Sequence, residues 1–212
     1  MTDNISIVNY VKDIWDKKYL SLSLLSTDYQ YKLISDKKSM GLFTMPLMSK
    51  TFCKELVDKL TDFDGWTNNR HAYFPTNDVL LKEYDTKLFN IHDATIRNIC
   101  LPAVNELFDA NMKAEKLEHE TFIVRYTPGN QSGLKLHHDN STFSLVLNLS
   151  DLSDYEGGGT YFVEHSVLLK EDAGTLVIHP GQLTHKHGVR PITSGERYVI
   201  VSFCKMPLNI IK

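Results

Sequence analysis

The segment LKLHHDNSTFS contains two side chains that can bind one metal ion. His137 and Asp139 are separated by a single residue, and on an extended strand this spacing places both side chains on the same face. His187 follows much later in the chain, far enough for several strands to intervene. Two imidazoles and one carboxylate form a facial triad, which leaves coordination positions open as non-haem iron(II) oxygenases require. We therefore predict that His137, Asp139 and His187 bind Fe(II).

A second feature is the arginine in HGVRPITSGERYVIVSF. Arg197 carries a permanent charge and can hold a carboxylate through two parallel hydrogen bonds. We predict that it binds the far carboxylate of 2-oxoglutarate. A turn around residues 191–195 should place Arg197 on the strand next to the one that ends near His187. Tyr126, on an earlier strand, is predicted to donate its hydroxyl to the keto acid, with core packing as an equally weighted alternative.

Other residues near this pattern have plainer interpretations. His138 should point to the opposite face from His137, and His179 precedes Pro-Gly in a predicted turn. His185 is the main rival of His187 as the third ligand. A zinc hydrolase would also accept two histidines and an aspartate, but it would not need the arginine. The run Glu156-Gly-Gly-Gly precedes a strand and lacks the Lys-Ser/Thr pair of a phosphate loop, so we predict a tight turn there.

The elements that position these residues change character along the chain. Residues 1–40 show no clean period, and we predict a short helix or strand with irregular chain. Apolar residues at spacings of three and four predict a helix from Ser49, its N-cap, to Gly65. A second helix is predicted over residues 86–108, broken or kinked at Pro102.

Beyond residue 117 the chain alternates short β-rich runs with turn signals. The runs are TFIVRY, TFSLVLNL, GTYFVE, GTLVIH and RYVIVSF. We predict an α+β, mainly β fold, a double-stranded β-helix (jelly roll) with supporting N-terminal helices. Residues 1–42 are predicted to be an N-terminal extension and residues 43–212 a single compact dioxygenase domain.

Composition narrows the class of protein. The chain has 212 residues, 42% of them hydrophobic, and a formal net charge of −3, so we expect a buried core and no nucleic acid partner. Three widely spaced cysteines are predicted to be buried free thiols. Neither a signal peptide nor eighteen consecutive apolar residues occur. We therefore expect a soluble chain without a membrane span, which could be a domain of a longer protein.

Four segments together resemble the catalytic domain of procollagen lysyl hydroxylases. They are HHDNSTFS, DYEGGGTYF, HPGQLTHKHG and TSGERYVIVSF, and the resemblance spans roughly residues 43 to 204 with MPLMSKTFCKELVDKL, GWTNNRH and PTNDV upstream. It implies iron ligands at His137, Asp139 and His187, and a 2-oxoglutarate-binding role for Arg197. It also implies ascorbate as an auxiliary reductant. Thr160 stands where animal relatives usually have cysteine.

The resemblance implies hydroxylation at C5 of peptidyl lysine in collagen-like chains, by a homodimer working in the endoplasmic reticulum lumen or a viral or host compartment. A peptidyl prolyl hydroxylase and a catalytically inactive jelly-roll binding module remain alternatives. Several acids could steer a lysine to the site, although a solvated acidic surface is the favoured interpretation. These acids are Asp78, Asp151, Asp154 and Glu156.

Overall fold

The structure is a computed structural model that describes residues 41–206 and, for the backbone, residues 32–35. Most of the region predicted as short helix or strand with irregular chain, residues 1–31 and 36–40, lies outside the described residues. The strands are β1 Lys32–Ser35, β2 Leu42–Pro46, β3 Asp78–Leu80, β4 Glu118–Tyr126, β5 Leu134–His137, β6 Phe143–Asn148, β7 Tyr155–Gly157, β8 Thr160–Phe162, β9 Val167–Leu169, β10 Thr175–Pro180, β11 His187–Val189, β12 Ile192–Gly195 and β13 Arg197–Lys205.

Two antiparallel sheets dominate this architecture. The major sheet has the order β1-β2-β10-β6-β13-β4-β3, and the minor sheet has the order β5-β11-β8-β9, with β12 and β7 forming a separate pair. Neighbours in the major sheet are far apart in sequence, as in a jelly roll. The five predicted β-rich runs coincide with β4, β6, β8, β10 and β13. The predicted fold class is therefore confirmed.

Strand β1 falls within the stretch predicted as an N-terminal extension. Its backbone pairs with β2, where Lys32 lies opposite Thr44, and it forms one edge of the major sheet. The domain boundary at residue 43 stays a prediction.

The helices cover one face of the major sheet. They are α1 Lys50–Thr61, α2 Leu81–Tyr84, α3 Thr86–Thr95, a π-helical segment Ile96–Cys100 and α4 Leu101–Leu107. The predicted cap is confirmed, since Ser49 Oγ accepts a hydrogen bond from Phe52 N at 3.1 Å. Helix α1 ends before the predicted Gly65, since Thr61 is its last residue and Asp62 is its C-cap.

Pro102 does not break the second helical region. The π-helical segment lies directly before it, and Leu101 N donates to Ile96 O across that wider turn. A π turn is a known way to absorb a helix irregularity, since it changes which carbonyls are used. The predicted break at Pro102 is therefore wrong, because helical turns continue from α3 through the π-helical segment into α4.

Alternate residues of the sheet strands serve two different regions. On β4, Ile123 packs towards the helices in the main core, whereas Phe122, Val124 and Tyr126 belong to a second cluster on the other face. This alternation follows from the period of two in a strand.

The three cysteines are buried and free, as predicted. No helix in the described part of the chain is long and apolar enough to cross a lipid bilayer.

A buried polar chain joins α3 to the major sheet and gives a prediction on stability. His92 Nε2 lies 3.0 Å from Ser202 Oγ, which accepts from Thr121 Oγ1 at 2.9 Å. Burial lowers the pKa of His92 from 6.5 to about 3. The folded state therefore keeps His92 neutral while the unfolded chain binds a proton below pH 6.5. We expect this residue to reduce stability by up to about 1.4 kcal/mol per pH unit as the pH falls from 6.5 towards 3.

Urea unfolding of the wild type and of His92→Gln between pH 7 and pH 4 checks this. The wild type should lose more stability than the variant over that range. Parallel pH dependences in the two proteins would contradict the role given to His92.

Candidate active site

Two histidines of the triad lie opposite each other on neighbouring strands of the minor sheet. His137 at the end of β5 lies directly opposite His187 on β11, and their ring centroids are 4.4 Å apart. Asp139 lies just beyond the end of β5, so it is not on the strand as the spacing predicted. Its Oδ1 nevertheless lies 3.4 Å from His137 Nε2 and 3.6 Å from His187 Nε2. The three potential ligand atoms lie within 4.8 Å of one another.

Backbone carbonyls orient both imidazoles. His137 Nδ1 donates to Lys135 O at 2.8 Å, and His187 Nδ1 donates to His185 O at 2.9 Å. Each of these bonds requires the proton on Nδ1, which leaves the Nε2 lone pair directed towards Asp139. Metal-binding histidines are held in this way in known sites. The donor set therefore suits a metal ion without a change of tautomer.

Asp139 supplies a strong test of that fit. Its Oδ2 accepts from Ser144 Oγ at 2.6 Å, but among the described residues nothing donates a hydrogen bond to its buried Oδ1. Burial raises the pKa of Asp139, but His187, His137 and the Ser144 hydroxyl outweigh it and hold the pKa well below its usual range. An ionised, buried oxygen without a donor is unusual in proteins. A cation between Oδ1 and the two Nε2 atoms would satisfy it, so iron(II) fits these residues.

Ser144 gives a further prediction. Its hydroxyl holds Oδ2, and Ser141 Oγ lies 2.8 Å from Ser144 Oγ, so a hydroxyl pair fixes the carboxylate. Loss of a residue that hydrogen-bonds to a metal ligand typically lowers metal affinity 10–100-fold. We expect Ser144→Ala to weaken cobalt(II) binding by about tenfold in an anaerobic titration, with Ser144→Thr restoring most of it. Unchanged affinity in the alanine variant would show that Ser144 does not position Asp139.

Arg197 approaches the same cavity from the major sheet. It lies at the start of β13, whose neighbours are β4 and β6, whereas His187 lies in the minor sheet. The prediction of adjacent strands was wrong, because residues 192–195 form β12, pair with β7 and carry the chain from one sheet to the other. Arg197 and His187 therefore face the same cavity from opposite sheets.

The guanidinium of Arg197 is buried, and only some of its N–H groups have hydrogen-bond partners. Its Nη2 donates to Asn148 Oδ1 at 3.0 Å, and its Nε has no partner within the described part of the chain. The carbon at its centre lies 5.4 Å from the ring centroid of Tyr126, directly opposite on β4. A buried, under-satisfied guanidinium suits a carboxylate ligand. Burial raises the pKa of Tyr126 to about 12, so its hydroxyl stays protonated at neutral pH.

The cavity that joins these groups has a volume of about 330 Å³, within the usual size of ligand pockets. One wall is apolar and comes from β4, β6 and β13, with Phe122, Val124, Val146, Val199, Val201 and Phe203. Residues 70–74 also line the cavity, and the ring of Phe74 lies 5.1 Å from that of His137. No role was predicted for this loop from the sequence, although the segment GWTNNRH, which takes part in the resemblance to lysyl hydroxylases, ends within it.

Three other histidines that the sequence singled out lie at different positions around the triad. His138 is exposed and lines the cavity. His185 is buried, with its ring 4.6 Å from that of His165, and it is not part of the group that can share an ion. The turn predicted at His179 was wrong, because β10 continues through Pro180. His179 lies behind the triad, with Nε2 3.8 Å from Asp139 Oδ2.

The acids considered for lysine steering do not line the cavity. Asp78 is buried and paired with Arg70 at 2.7 Å, while Asp151 pairs with Lys50 at 2.9 Å. The only carboxylate among the described residues lining the cavity is Asp139. These acids thus act as partners of nearby cations or, like Glu156, lie exposed at the surface. The glycines after Glu156 all have positive φ angles, in keeping with the predicted tight turn.

Comparisons with known proteins agree with this geometry. Residues 121–205 match the family model described as the 2OG-Fe(II) oxygenase superfamily. The chain is 32% identical, over 91% of its length, to the procollagen lysyl hydroxylase and glycosyltransferase of Acanthamoeba polyphaga mimivirus, and 28% identical, over 95%, to human procollagen-lysine,2-oxoglutarate 5-dioxygenase 2. It spans only 22% and 29% of those two proteins.

Solved structures agree on the fold. The viral collagen prolyl hydroxylase of Paramecium Bursaria Chlorella virus-1, in its 2OG complex, superimposes with a TM-score of 0.54 at 15% identity, covering 84% of this chain and 96% of that one. EvdO2 from Micromonospora carbonacea gives a TM-score of 0.59 at 12% identity, covering 87% and 96%. The matched residues 121–205 contain the strands and loops that carry the triad, Tyr126 and Arg197. Residues 121–205 of this chain therefore form a 2OG-Fe(II) oxygenase domain.

Proposed function

We propose that this chain is a 2-oxoglutarate-dependent dioxygenase domain that hydroxylates C5 of peptidyl lysine in collagen-like chains. One observation carries the proposal. His137 Nε2, His187 Nε2 and the unpartnered Asp139 Oδ1 converge on one point of a cavity that also contains the buried guanidinium of Arg197. A hydrolytic metal site would use the triad but has no need of that guanidinium.

The residues have distinct roles in this proposal. His137, Asp139 and His187 would hold iron(II), and Arg197 would bind the far carboxylate of 2-oxoglutarate. Bound iron(II) and 2-oxoglutarate together supply the activation of dioxygen, with oxidative decarboxylation of the keto acid to succinate. Tyr126 would donate its hydroxyl to the keto acid, and its ring lies against the guanidinium of Arg197, 5.4 Å from the ring centroid to the guanidinium carbon.

The apolar wall excludes water from the reacting groups. Its valines and phenylalanines come from the major sheet and leave few polar atoms on that side. A long aliphatic side chain such as the stem of lysine can pack along such a surface while its charged end stays in a polar environment. This wall would therefore orient the carbon to be hydroxylated towards the metal.

Lysine is the proposed target because the named relatives are lysyl hydroxylases. One observation favours proline as a second candidate. The cavity lining contains no carboxylate other than Asp139, so a neutral ring would enter without leaving an ammonium group unpaired. Ascorbate as a reductant, a homodimer, a location in the endoplasmic reticulum lumen and the 43–212 domain boundary stay predictions.

The experiment uses the iron-loaded protein with 2-oxoglutarate, ascorbate and dioxygen. Collagen-like peptides with Gly-X-Lys or Gly-Pro-Pro repeats are incubated in parallel, and succinate and peptide mass are measured. A gain of one oxygen on lysine supports the proposal, and a gain on proline alone favours the second candidate. Succinate with neither product would refute both substrates. Iron binding without any succinate would favour an inactive binding module.

A further inference from the structure

A second cavity, of about 560 Å³, opens beside the catalytic cavity. It lies between residues 68–77 and residues 130–135, and we call it the flanking groove. Tyr73, Phe74, Leu134 and Val189 line both cavities. The groove is therefore continuous with the space in front of the triad.

One side chain joins the two walls of the flanking groove. Gln131 Oε1 accepts from the backbone N–H of Asn77 at 2.5 Å, and Gln131 Nε2 donates to Pro75 O at 3.0 Å. The same amide also reaches Gly133 O at 3.4 Å. Because these bonds connect segments that are distant in the sequence, the groove is formed before any ligand arrives. A preorganised site loses less entropy on binding.

The lining of the flanking groove has a definite chemistry. Tyr73 is 90% exposed, and the lining also includes Phe74, Pro75 and Pro191. Asparagine and glutamine side chains provide hydrogen-bonding groups, and Lys135 is its only charged residue among those that the structure describes. Lys135 would repel a cationic segment, and the described lining contains no carboxylate to attract one. Aromatic rings beside amide donors are the features with which proteins bind extended, proline-rich chains.

A peptide substrate needs such a surface. The catalytic cavity can accept the target side chain, but the backbone on either side must continue outside it. We propose that the flanking groove binds the uncharged, proline-rich segment on one side of the target residue, with Tyr73 packing against it and Gln131 fixing the walls. This inference rests on the proposed function, because it takes a peptide as the substrate.

The test compares peptide lengths by fluorescence anisotropy, using protein loaded with zinc and 2-oxoglutarate without oxygen. One peptide carries the target lysine with a single residue on each side, and two others add Gly-Pro-Pro units at the N-terminal or the C-terminal side. In the wild type, extension on one side should tighten binding about fivefold, which is the range of an added aromatic contact. Gln131→Ala should lose this gain while binding the short peptide unchanged, and Tyr73→Ala, which also alters the lining of the catalytic cavity, should weaken the extended peptide more than the short one.

Leu168→Ala serves as the matched control. Leu168 is an exposed apolar residue on β9, at the opposite edge of the minor sheet from β5, and this variant should keep the full gain. The proposal is overturned if extension on neither side tightens binding, or if Tyr73→Ala weakens short and long peptides by the same factor. Length-dependent binding that needs Tyr73, without hydroxylation of any peptide, would keep the groove and refute the proposed reaction. Hydroxylation of a peptide without a length effect on binding would keep the proposed reaction and refute the groove.

Discussion

Replacement of Asp139 by alanine is expected to abolish iron(II) binding and, with it, succinate production. Asp139 provides the carboxylate oxygen that faces both Nε2 atoms, and its loss leaves only two neutral ligands. Loss of a residue that only hydrogen-bonds to a metal ligand typically lowers metal affinity 10–100-fold. Asp139 is itself a predicted ligand, so we expect the iron(II) affinity to fall by more than about a hundredfold. Anaerobic equilibrium dialysis with iron(II) measures this directly, before any turnover.

Asp151→Ala is the matched control for that measurement. Asp151 is an acid of the same type on the surface, paired with Lys50, and its loss should leave iron binding unchanged. Circular dichroism of both variants shows whether the fold is kept. An Asp139→Ala protein that is folded and binds iron(II) like the wild type would remove Asp139 from the metal site.

Replacement of Arg197 by methionine is expected to raise the KM for 2-oxoglutarate by roughly a hundredfold or more. Hydrogen bonds to charged groups contribute about 1.5–3 kcal/mol each, and a guanidinium can make two of them to one carboxylate. Methionine keeps much of the buried volume beside Tyr126 but supplies no donor. The KM for the peptide should change little, because Arg197 contacts the keto acid and not the peptide in this account.

Arg197→Lys separates charge from geometry. A lysine keeps the positive charge but lacks the planar fork, so its KM for 2-oxoglutarate should lie between those of the wild type and Arg197→Met. Binding of 2-oxoglutarate to the zinc-loaded proteins gives a readout independent of turnover. A KM for the methionine variant within about twofold of the wild type would show that another residue binds the far carboxylate.

The long strands were predictable because each offers enough residues to show its pattern. The run TFIVRY lies in β4 and RYVIVSF in β13, each of which spans 9 residues and pairs with its neighbours along most of its length. Strands β3, β7 and β9 have 3 residues each, too few to reveal an alternation. Strand β8 is equally short and was predicted only because it lies within the longer β-rich run GTYFVE. Their positions depend on partners elsewhere in the chain, which no local pattern encodes.

The site was predictable in its residues and less so in its geometry. The spacing of His137 and Asp139, with a later histidine and arginine, identified the residues that meet in the cavity. The sheet that carries Arg197 was not predictable, because the turn at residues 191–195 becomes β12 and pairs with β7. His179 was assigned to a turn because Pro-Gly follows it, yet β10 continues into Pro180. Tertiary pairing outweighed turn propensity at both places.

The most direct test of the central claim is the fate of isotopically heavy dioxygen. The iron-loaded protein is given 2-oxoglutarate, a collagen-like lysine peptide and labelled dioxygen in ordinary water, and mass spectrometry follows the label. We expect one heavy oxygen atom in succinate and one in the hydroxylated peptide. Unlabelled succinate, or peptide hydroxylated without any succinate, would contradict a 2-oxoglutarate-dependent dioxygenase, whereas cleavage of the peptide with oxygen from water and no succinate would point to hydrolytic metal chemistry at the same triad.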